Sequence, residues 1–289
     1  MPFCKALLTI LVLVAGLAKP LALDRPNVIY ILADDLGYGD LSHAGGKAPT
    51  PHCDRLAREG MRFTDSHTTS SVCTPTRYGI VTGRYNWRTH LKSGVLWGLS
   101  EPLIPVGRLT VAKFLQQNHY HTAVVGKWHL GHNDTKWHPN NQGFTHFHGH
   151  FNGAIDYFDL TREGERDWHL NGKTNPETGY ATDLIADAAS QFISRHAKGE
   201  APYFCYVPFN APHSPFQAPD KYLKKFAHLA SPDAKGKNKT LRQTVAAMVA
   251  CMDDGIGRIL KSIDASGEAA NTIVLFFSDN GGVGGLRRN

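Results

Sequence analysis

The 289-residue sequence has few cysteines, no internal repeat, no low-complexity linker and no dense run of Lys or Arg. Its five cysteines are widely and irregularly spaced, which argues against a disulfide framework and against a CxxC zinc site. The formal net charge is +6, but without a basic cluster this indicates no nucleic-acid partner. With 42% apolar and 19% charged residues, the composition is typical of a globular protein with a sizeable core.

The longest apolar run lies near the N-terminus, where residues 6–18 follow Lys5 and precede the small residues of "KPLALD". This pattern is typical of a secretory signal peptide, and the run is too short to span a bilayer comfortably. An uncleaved anchor is the alternative. We therefore expect a signal peptide over residues 1–23, no stable membrane span after its cleavage, and export to a periplasmic, extracellular or lysosome-like compartment.

Apolar strand patterns alternate with helical patterns along the rest of the chain. This alternation predicts an α/β fold with a mainly parallel sheet. Strands are expected at residues 27–35, 61–67 and 202–209, and at the start of the segments 121–131 and 271–282, which continue into loops. Helices are expected at residues 51–59, 75–81, 109–118, 181–196 and 241–263.

Three polar clusters, "DDLG", "GKWHLG" and "SDNGG", each follow an apolar strand directly. The carboxyl ends of parallel strands meet at one edge of a sheet, where ligands bind in open α/β folds. The sequence therefore predicts that these clusters form one site.

The first and third clusters carry short oxygen ligands: Asp34, Asp35, Asp279 and Asn280. Three carboxylates brought together would raise one another's pKa unless a cation holds them. This donor set suits Ca²⁺ or Mg²⁺ better than zinc. The alternative is that each pair only begins a turn at a strand end.

The segment "SSVCTPTRYGIVTG" contains a lone cysteine, Cys73, ahead of a predicted helix. A side chain at a helix N-terminus lies where backbone N–H groups favour an anion, and Arg77 follows one turn later. These features predict a low-pKa thiolate if the cysteine is unmodified. The alternative is a buried cysteine at a helix start.

Four ordered motifs resemble those of the sulfatase family. "CTPTR" followed by "YGIVTGR" matches its Cys-x-Pro-x-Arg signature. "NVIYILADDLGYGD" resembles its first metal-binding strand, "GKWHLG" its lysine-histidine loop and "SDNGG" its second metal pair. "YNWRTHLKSGVLWG" is most similar to the arylsulfatase branch. The resemblance implies an alkaline-phosphatase-like fold over residues 24–289, with helices on both faces of the sheet.

The resemblance also implies the chemistry of Cys73. A dedicated formylglycine-generating enzyme would oxidise it to formylglycine, whose hydrate attacks the sulfur of a sulfate ester. The second hydroxyl of the hydrate then expels sulfate, which neither serine nor a thiol could do. The modified Cys73 would bind the cation, usually Ca²⁺ in this family with Mg²⁺ as the alternative, together with Asp34, Asp35, Asp279 and Asn280.

Four further residues receive roles from the same resemblance. Arg77 would hold the modified residue, and Lys127 and His129 would neutralise sulfate charge and take the proton of the nucleophile. His213 in "NAPHSPF" would protonate the leaving oxygen, unless it is only a loop histidine beside prolines. The remaining histidines at 132, 138, 146, 148 and 150 lack a compact zinc-ligand spacing and are expected in loops and at a pocket rim.

These features predict a sulfuric ester hydrolase of arylsulfatase type that acts on a sulfated small molecule, glycan or glycolipid. A phosphonate or phosphodiester hydrolase of the same superfamily is the alternative enzyme. Family members continue beyond "GGVGGLRRN" with another sulfate-binding lysine and a smaller C-terminal domain. We therefore expect a fragment of a longer enzyme, with a truncated, non-catalytic sulfatase-like binder as the alternative.

Overall fold

A computed structural model describes residues 25–231 and 240–282. The expected signal peptide lies outside the described residues. The strands are β1 Asn27–Ala33, β2 His121–Lys127, β3 His146–His150, β4 Thr161–Arg162, β5 Glu165–Arg166, β6 His169–Leu170, β7 Lys173–Thr174, β8 Tyr203–Pro208 and β9 Thr272–Ser278. The α-helices are α1 Pro51–Glu59, α2 Cys73–Thr82, α3 Val111–Gln117, α4 Ala181–His196, α5 Asp220–Lys225 and α6 Leu241–Ser266.

Seven strands form the main sheet in the order β7-β6-β3-β2-β8-β1-β9. The five strands from β3 to β9 in that order pair in parallel, and β6 and β7 add an antiparallel edge. Strands β4 and β5 form a separate two-stranded hairpin. The central strands are buried on both faces, as expected for parallel strands covered by helices.

Two apolar clusters cover opposite faces of the sheet. Alternate residues of β1 divide between them: Ile29 and Ile31 pack in the cluster that includes α4 and α6, whereas Leu32 packs with α2 and α3. The period-two alternation of a strand produces this division. The prediction of an α/β fold with helices on both faces is confirmed.

Three local predictions differ from the structure. Residues 61–67 form no strand, and the exposed side chains of Met61 and Phe63 show that no buried face fixes a strand register there. Helix α2 begins at Cys73 itself, two residues earlier than predicted. Residues 146–150 form β3, so three of the histidines expected in loops lie on a strand.

The four cysteines within the described residues are unpaired and buried. Cys205 and Cys251 lie in the larger apolar cluster, as their sequence context indicates. No helix in the described ranges is both long and apolar enough to cross a membrane.

Candidate active site

Strand pairing brings the two predicted metal-binding pairs together. Ala33 of β1 lies opposite Ser278 of β9, so the next residues leave the sheet side by side. The Asp35 backbone N–H donates to Asp279 Oδ1 at 3.2 Å, and the Asn280 side-chain amide donates to Asp35 Oδ1 at 2.6 Å. Asp35 has a left-handed backbone with φ of 62°, which is uncommon outside glycine and occurs here at the cluster itself.

Two buried cations connect this edge of the sheet. The Arg77 guanidinium donates through Nε and Nη2 to Asp279 Oδ2 at 3.1 and 2.9 Å, and through Nη1 to the Lys127 carbonyl at 3.0 Å. Lys127 Nζ donates to Asp34 Oδ2 at 2.5 Å. All four side chains have 0% exposure, and buried charges are tolerated only when paired in this way. Arg77 thus contacts Asp279 and lies 3.5 Å from Asp34 Oδ1, and its contact with the modified residue 73 stays a prediction.

The glycine before Lys127 permits the close approach of β2 and β8. Gly126 has φ of 130°, and a Cβ atom there would lie 2.1 Å from the carbonyl oxygen of Pro208. Only glycine fits this combination of backbone angle and contact. The glycine of "GKWHLG" therefore places Lys127 at the end of its strand.

The donor set fits a divalent, oxygen-seeking cation. One ligand atom each from Asp34, Asp35, Cys73 and His213 lies within 4.8 Å of the others. Asp34 Oδ1 and Asn280 Oδ1 are buried and lack hydrogen-bond partners among the described residues. Such orphaned acceptors are costly unless a ligand satisfies them. With three carboxylates facing two fixed cations, Ca²⁺ or Mg²⁺ suits the remaining charge.

Burial and the neighbouring charges shift the pKa values of the two innermost carboxyls, Asp34 and Asp279, in opposite directions. Burial opposes ionisation of Asp34, but Lys127 and Arg77 outweigh it and hold the pKa of Asp34 well below its usual range. Burial and then the Asp34 charge raise the pKa of Asp279. A cation bound among these oxygens would favour the ionised form of both.

Cys73 is the first residue of α2 and is 6% exposed. Burial raises the pKa of its thiol to about 12. Lys127 opposes this shift, whereas Asp34 and Asp279 add to it. The predicted low-pKa thiolate is therefore wrong, because desolvation and two carboxylates outweigh the helix N-terminus. At neutral pH the unmodified thiol is protonated and a weak nucleophile.

His129 is buried and neutral. Burial and the Lys127 charge lower its pKa well below the usual value. Its Nε2 lies 2.9 Å from the Leu96 carbonyl oxygen, which can only accept, so Nε2 carries the proton. Nδ1 is then an acceptor, and it has no partner among the described residues. Nδ1 of His129 can therefore accept a hydrogen bond, whereas the lowered pKa opposes a positive charge on the ring. Its two predicted roles, holding the proton of the nucleophile and neutralising sulfate charge, stay predictions.

Two loops hold the His129 ring. Leu96 accepts from it, and the Leu96 N–H donates to Thr74 Oγ1 at 3.2 Å, next to Cys73. On the other side, a Cβ atom added to Gly153 would lie 2.4 Å from the ring. The backbone of Leu96 thus ties the start of α2 to the loop after β2.

His213 follows β8 and is the more accessible of the two histidines. Its Nδ1 lies 2.5 Å from the Ser214 carbonyl oxygen, and its Nε2 lies 3.7 Å from Asp35 Oδ2. Because the carbonyl engages Nδ1–H, Nε2 remains for exchange with a ligand. Its side chain is 22% exposed and lines the cleft that also contains Cys73.

An open cleft of about 430 Å³ is lined by Asp35, Cys73, His129, His213 and Asn280. The wall also includes Leu96, Trp97, Gly153 and Arg162. Leu96 and Trp97 belong to "YNWRTHLKSGVLWG", which the sequence analysis compared with the arylsulfatase branch without giving its residues a role. Gly153 and Arg162 were not singled out, because a loop glycine and a lone arginine are weak signals.

The fold and site define an α/β protein of alkaline-phosphatase-like architecture with a candidate cation site at its carboxyl edge. Residues 26–286 match the family model described as Sulfatase, and the chain belongs to this family. It is 30% identical to arylsulfatase J of Mus musculus and 31% identical to an arylsulfatase of Klebsiella aerogenes. The alignments cover 89% and 93% of this chain, and 43% and 69% of those relatives.

Solved structures agree with this assignment. The crystal structure of Ps i-CgsB in complex with k-i-k-neocarrahexaose superimposes with a TM-score of 0.79 at 33% identity, over 89% of this chain and 59% of that one. A phosphonate monoester hydrolase of Agrobacterium radiobacter matches with a TM-score of 0.62 at 22% identity, over 88% and 62%, and shares the fold. The chain thus spans about half to two thirds of the length of these proteins.

Proposed function

We propose that residues 24–289 carry the catalytic domain of a sulfuric ester hydrolase of arylsulfatase type, exported by the signal peptide at residues 1–23. The observation that carries the proposal is the convergence of four sequence motifs on one cleft. Cys73 lies there among Asp34, Asp35 and His213, with ligand atoms within 4.8 Å of one another. Membership of the sulfatase family supports the reaction class.

We propose further that a formylglycine-generating enzyme converts Cys73 to formylglycine, whose hydrate supplies the oxygen nucleophile and later releases sulfate. The thiol's raised pKa supports this, since an unmodified Cys73 would be a poor nucleophile at neutral pH. Asp34, Asp35, Asp279 and Asn280 would hold Ca²⁺ or Mg²⁺ with residue 73. When bound, the cation would acidify the nucleophile and offset sulfate charge.

The side chains around the cation ligands would position the site, offset sulfate charge and handle protons. Arg77 fixes Asp279 and the end of β2, so it positions the site rather than contacting the ester. Lys127 provides a buried positive charge beside Asp34, where sulfate charge must be offset. His129 would accept a hydrogen bond from the nucleophile at Nδ1. His213, whose Nδ1–H is held by the Ser214 carbonyl, would donate a proton from Nε2 to the leaving oxygen when both of its ring nitrogens are protonated.

The substrate we propose is a sulfated sugar or aryl compound. An open cleft of about 430 Å³ accommodates a ring attached to the sulfate ester. A relative at 33% identity is in complex with an oligosaccharide, which favours a glycan over a glycolipid.

Mass spectrometry of the tryptic peptide of residues 63–77 tests the modification. Protein made with a formylglycine-generating enzyme should lose about 18 Da at Cys73, because –CH₂SH becomes –CHO. Hydrolysis of 4-nitrophenyl sulfate should follow, with Cys73→Ala as the inactive control. Faster cleavage of an aryl phosphodiester would instead favour the alternative enzyme, and no turnover of either by the converted protein would refute the proposal.

A further inference from the structure

The cleft has an outer wall that the proposed chemistry does not use. Trp97 lines it with a 68% exposed indole, and Arg162 lines it with a side chain that is 30% exposed. Neither contacts the buried ion network in the described part of the chain. Several large apolar side chains of this chain are exposed, so what distinguishes Trp97 is its place on the cleft wall rather than its exposure.

The position of Trp97 is fixed with respect to the reacting groups. Its neighbour Leu96 donates to Thr74 Oγ1 and accepts from His129, so the segment is held between the start of α2 and the loop after β2. The Trp97 N–H also donates to Ser100 Oγ at 3.1 Å. The Trp97 backbone is therefore anchored beside the start of α2, and its indole, which lines the same cleft as Cys73, can stack on a ring that bears the sulfate ester.

Arg162 adds a permanent positive charge to the same wall. It lies at the end of β4, and its Nε is 3.3 Å from Glu163 Oε1. Glu163 is 81% exposed, and an ion pair in that setting is weak and readily exchanged for a better partner. A guanidinium in a cleft binds carboxylate or sulfate through two parallel hydrogen bonds.

We propose that Trp97 and Arg162 form an outer subsite that selects sulfated sugars carrying a second anionic group, either a further sulfate or a carboxylate. This inference builds on the proposed function, because it assumes that the scissile sulfate lies at Cys73. The sugar ring stacks on Trp97 while the second anion binds Arg162. A singly charged aryl sulfate would use only the first contact.

Calorimetry with the full chain carrying Cys73→Ala, in Ca²⁺ buffer, tests the subsite without turnover. The ligands are N-acetylgalactosamine 6-sulfate and its 4,6-disulfate. We expect the disulfate to bind about 10-fold or more tightly, and Arg162→Gln to abolish that difference. Trp97→Ala should weaken both ligands about 5-fold or more, with Trp97→Phe intermediate.

Matched controls are Lys173→Gln, an exposed cation on β7, and Trp87→Ala, an exposed indole stacked on Tyr85. Neither lines the cleft, and neither should alter binding. Equal affinity for the two ligands, an unchanged preference in Arg162→Gln, or no binding of either would overturn the inference. Turnover by the converted wild-type protein is measured separately: selective binding without turnover refutes the proposed function alone, and turnover without selective binding refutes the subsite alone.

Discussion

Two clusters in this protein contain nearly the same residue types but differ in how fully their carboxylate oxygens are hydrogen-bonded. One joins Asp34, Asp35 and His213 with Cys73, and the other joins His52, Asp253 and Asp254. We refer to them as the edge cluster and the helix cluster. In both, carboxylate and imidazole atoms lie close enough together to share a cation.

In the helix cluster, three of the four carboxylate oxygens accept hydrogen bonds. Both oxygens of Asp253 accept backbone N–H groups at the start of α1, from His52 at 3.0 Å and Cys53 at 2.8 Å, and Asp254 accepts from Tyr222 Oη at 2.6 Å. In the edge cluster, Asp34 Oδ1 has no hydrogen-bond partner among the described residues and only an ion pair with Arg77 at 3.5 Å. The difference indicates that acceptor atoms without hydrogen bonds, rather than residue types, distinguish a candidate cation site from a helix cap.

The largest expected effect concerns the ion network of the edge cluster. Arg77→Met should lower the free energy of unfolding by about 3–5 kcal/mol, because it leaves Asp34 and Asp279 buried with only Lys127. Urea unfolding with a chelator present measures this loss. Arg77→Lys should restore part of it, and a loss below about 1 kcal/mol would contradict a network of buried charges.

Ca²⁺ should stabilise the protein through the edge cluster and not through the helix cluster. At a free concentration 100-fold above its Kd, Ca²⁺ should stabilise the wild-type chain by about 2.7 kcal/mol, which thermal unfolding with and without chelator would detect. Asp35→Asn should weaken Ca²⁺ binding about 100-fold or more, since a ligand matters at least as much as its supporting contacts. Asp254→Asn should leave the shift intact, and an equal loss in both variants would remove the distinction.

A mutation in the helix cluster should affect stability alone. Asp253→Ala removes the acceptor of two backbone N–H groups and should cost about 2–3 kcal/mol of unfolding free energy. The stabilisation by Ca²⁺, measured in the same unfolding experiment, should not change. If Asp253→Ala also abolished that stabilisation, the helix cluster would be a cation site after all.

The smallest effect is the pH dependence of stability. Burial raises the pKa of Asp279, with Asp34 adding to the shift, and burial also raises the pKa of Asp253. A raised carboxyl pKa contributes stability at low pH that is lost as the pH rises above the unfolded value of about 4. Without Ca²⁺, these two carboxyls should lower stability over that range, whereas buried histidines with lowered pKa values, such as His146 and His150, should raise it. The contribution of Asp279 is therefore the change in slope that saturating Ca²⁺ produces. Saturating Ca²⁺ should remove the contribution of Asp279 to the pH dependence of the unfolding free energy and leave that of Asp253. If Ca²⁺ did not change the slope of unfolding free energy against pH, Asp279 would not belong to the cation site.

The sequence predicted which residues meet at the carboxyl edge of the sheet better than it predicted the contacts of the cleft wall that includes Leu96 and Trp97. Asp34, Lys127 and Asp279 each follow a strand, so parallel pairing alone brings them together. Arg77 reaches the same point from α2, one turn after Cys73. These positions follow from local patterns and strand order.

Other features depended on distant contacts and on desolvation. The Leu96 carbonyl fixes the His129 tautomer across 33 residues, and no pattern in either segment indicates this pairing. The pKa of Cys73 was predicted with the wrong sign because sequence reveals the helix start but not the depth of burial. The same limit explains the strand wrongly predicted at residues 61–67, whose alternation is real but faces solvent.

The anchoring of Leu96 has a consequence for how this protein could diversify. The hydrogen bonds that hold the 95–98 segment use the backbone of Leu96 and Trp97, and none of them uses the indole of Trp97. The side chain at position 97 can therefore vary while the segment keeps its hydrogen bonds to Thr74 and His129. If the proposed function and subsite hold, natural drift or a saturation library at this one codon would change which sulfate esters bind without changing the residues proposed to cleave them.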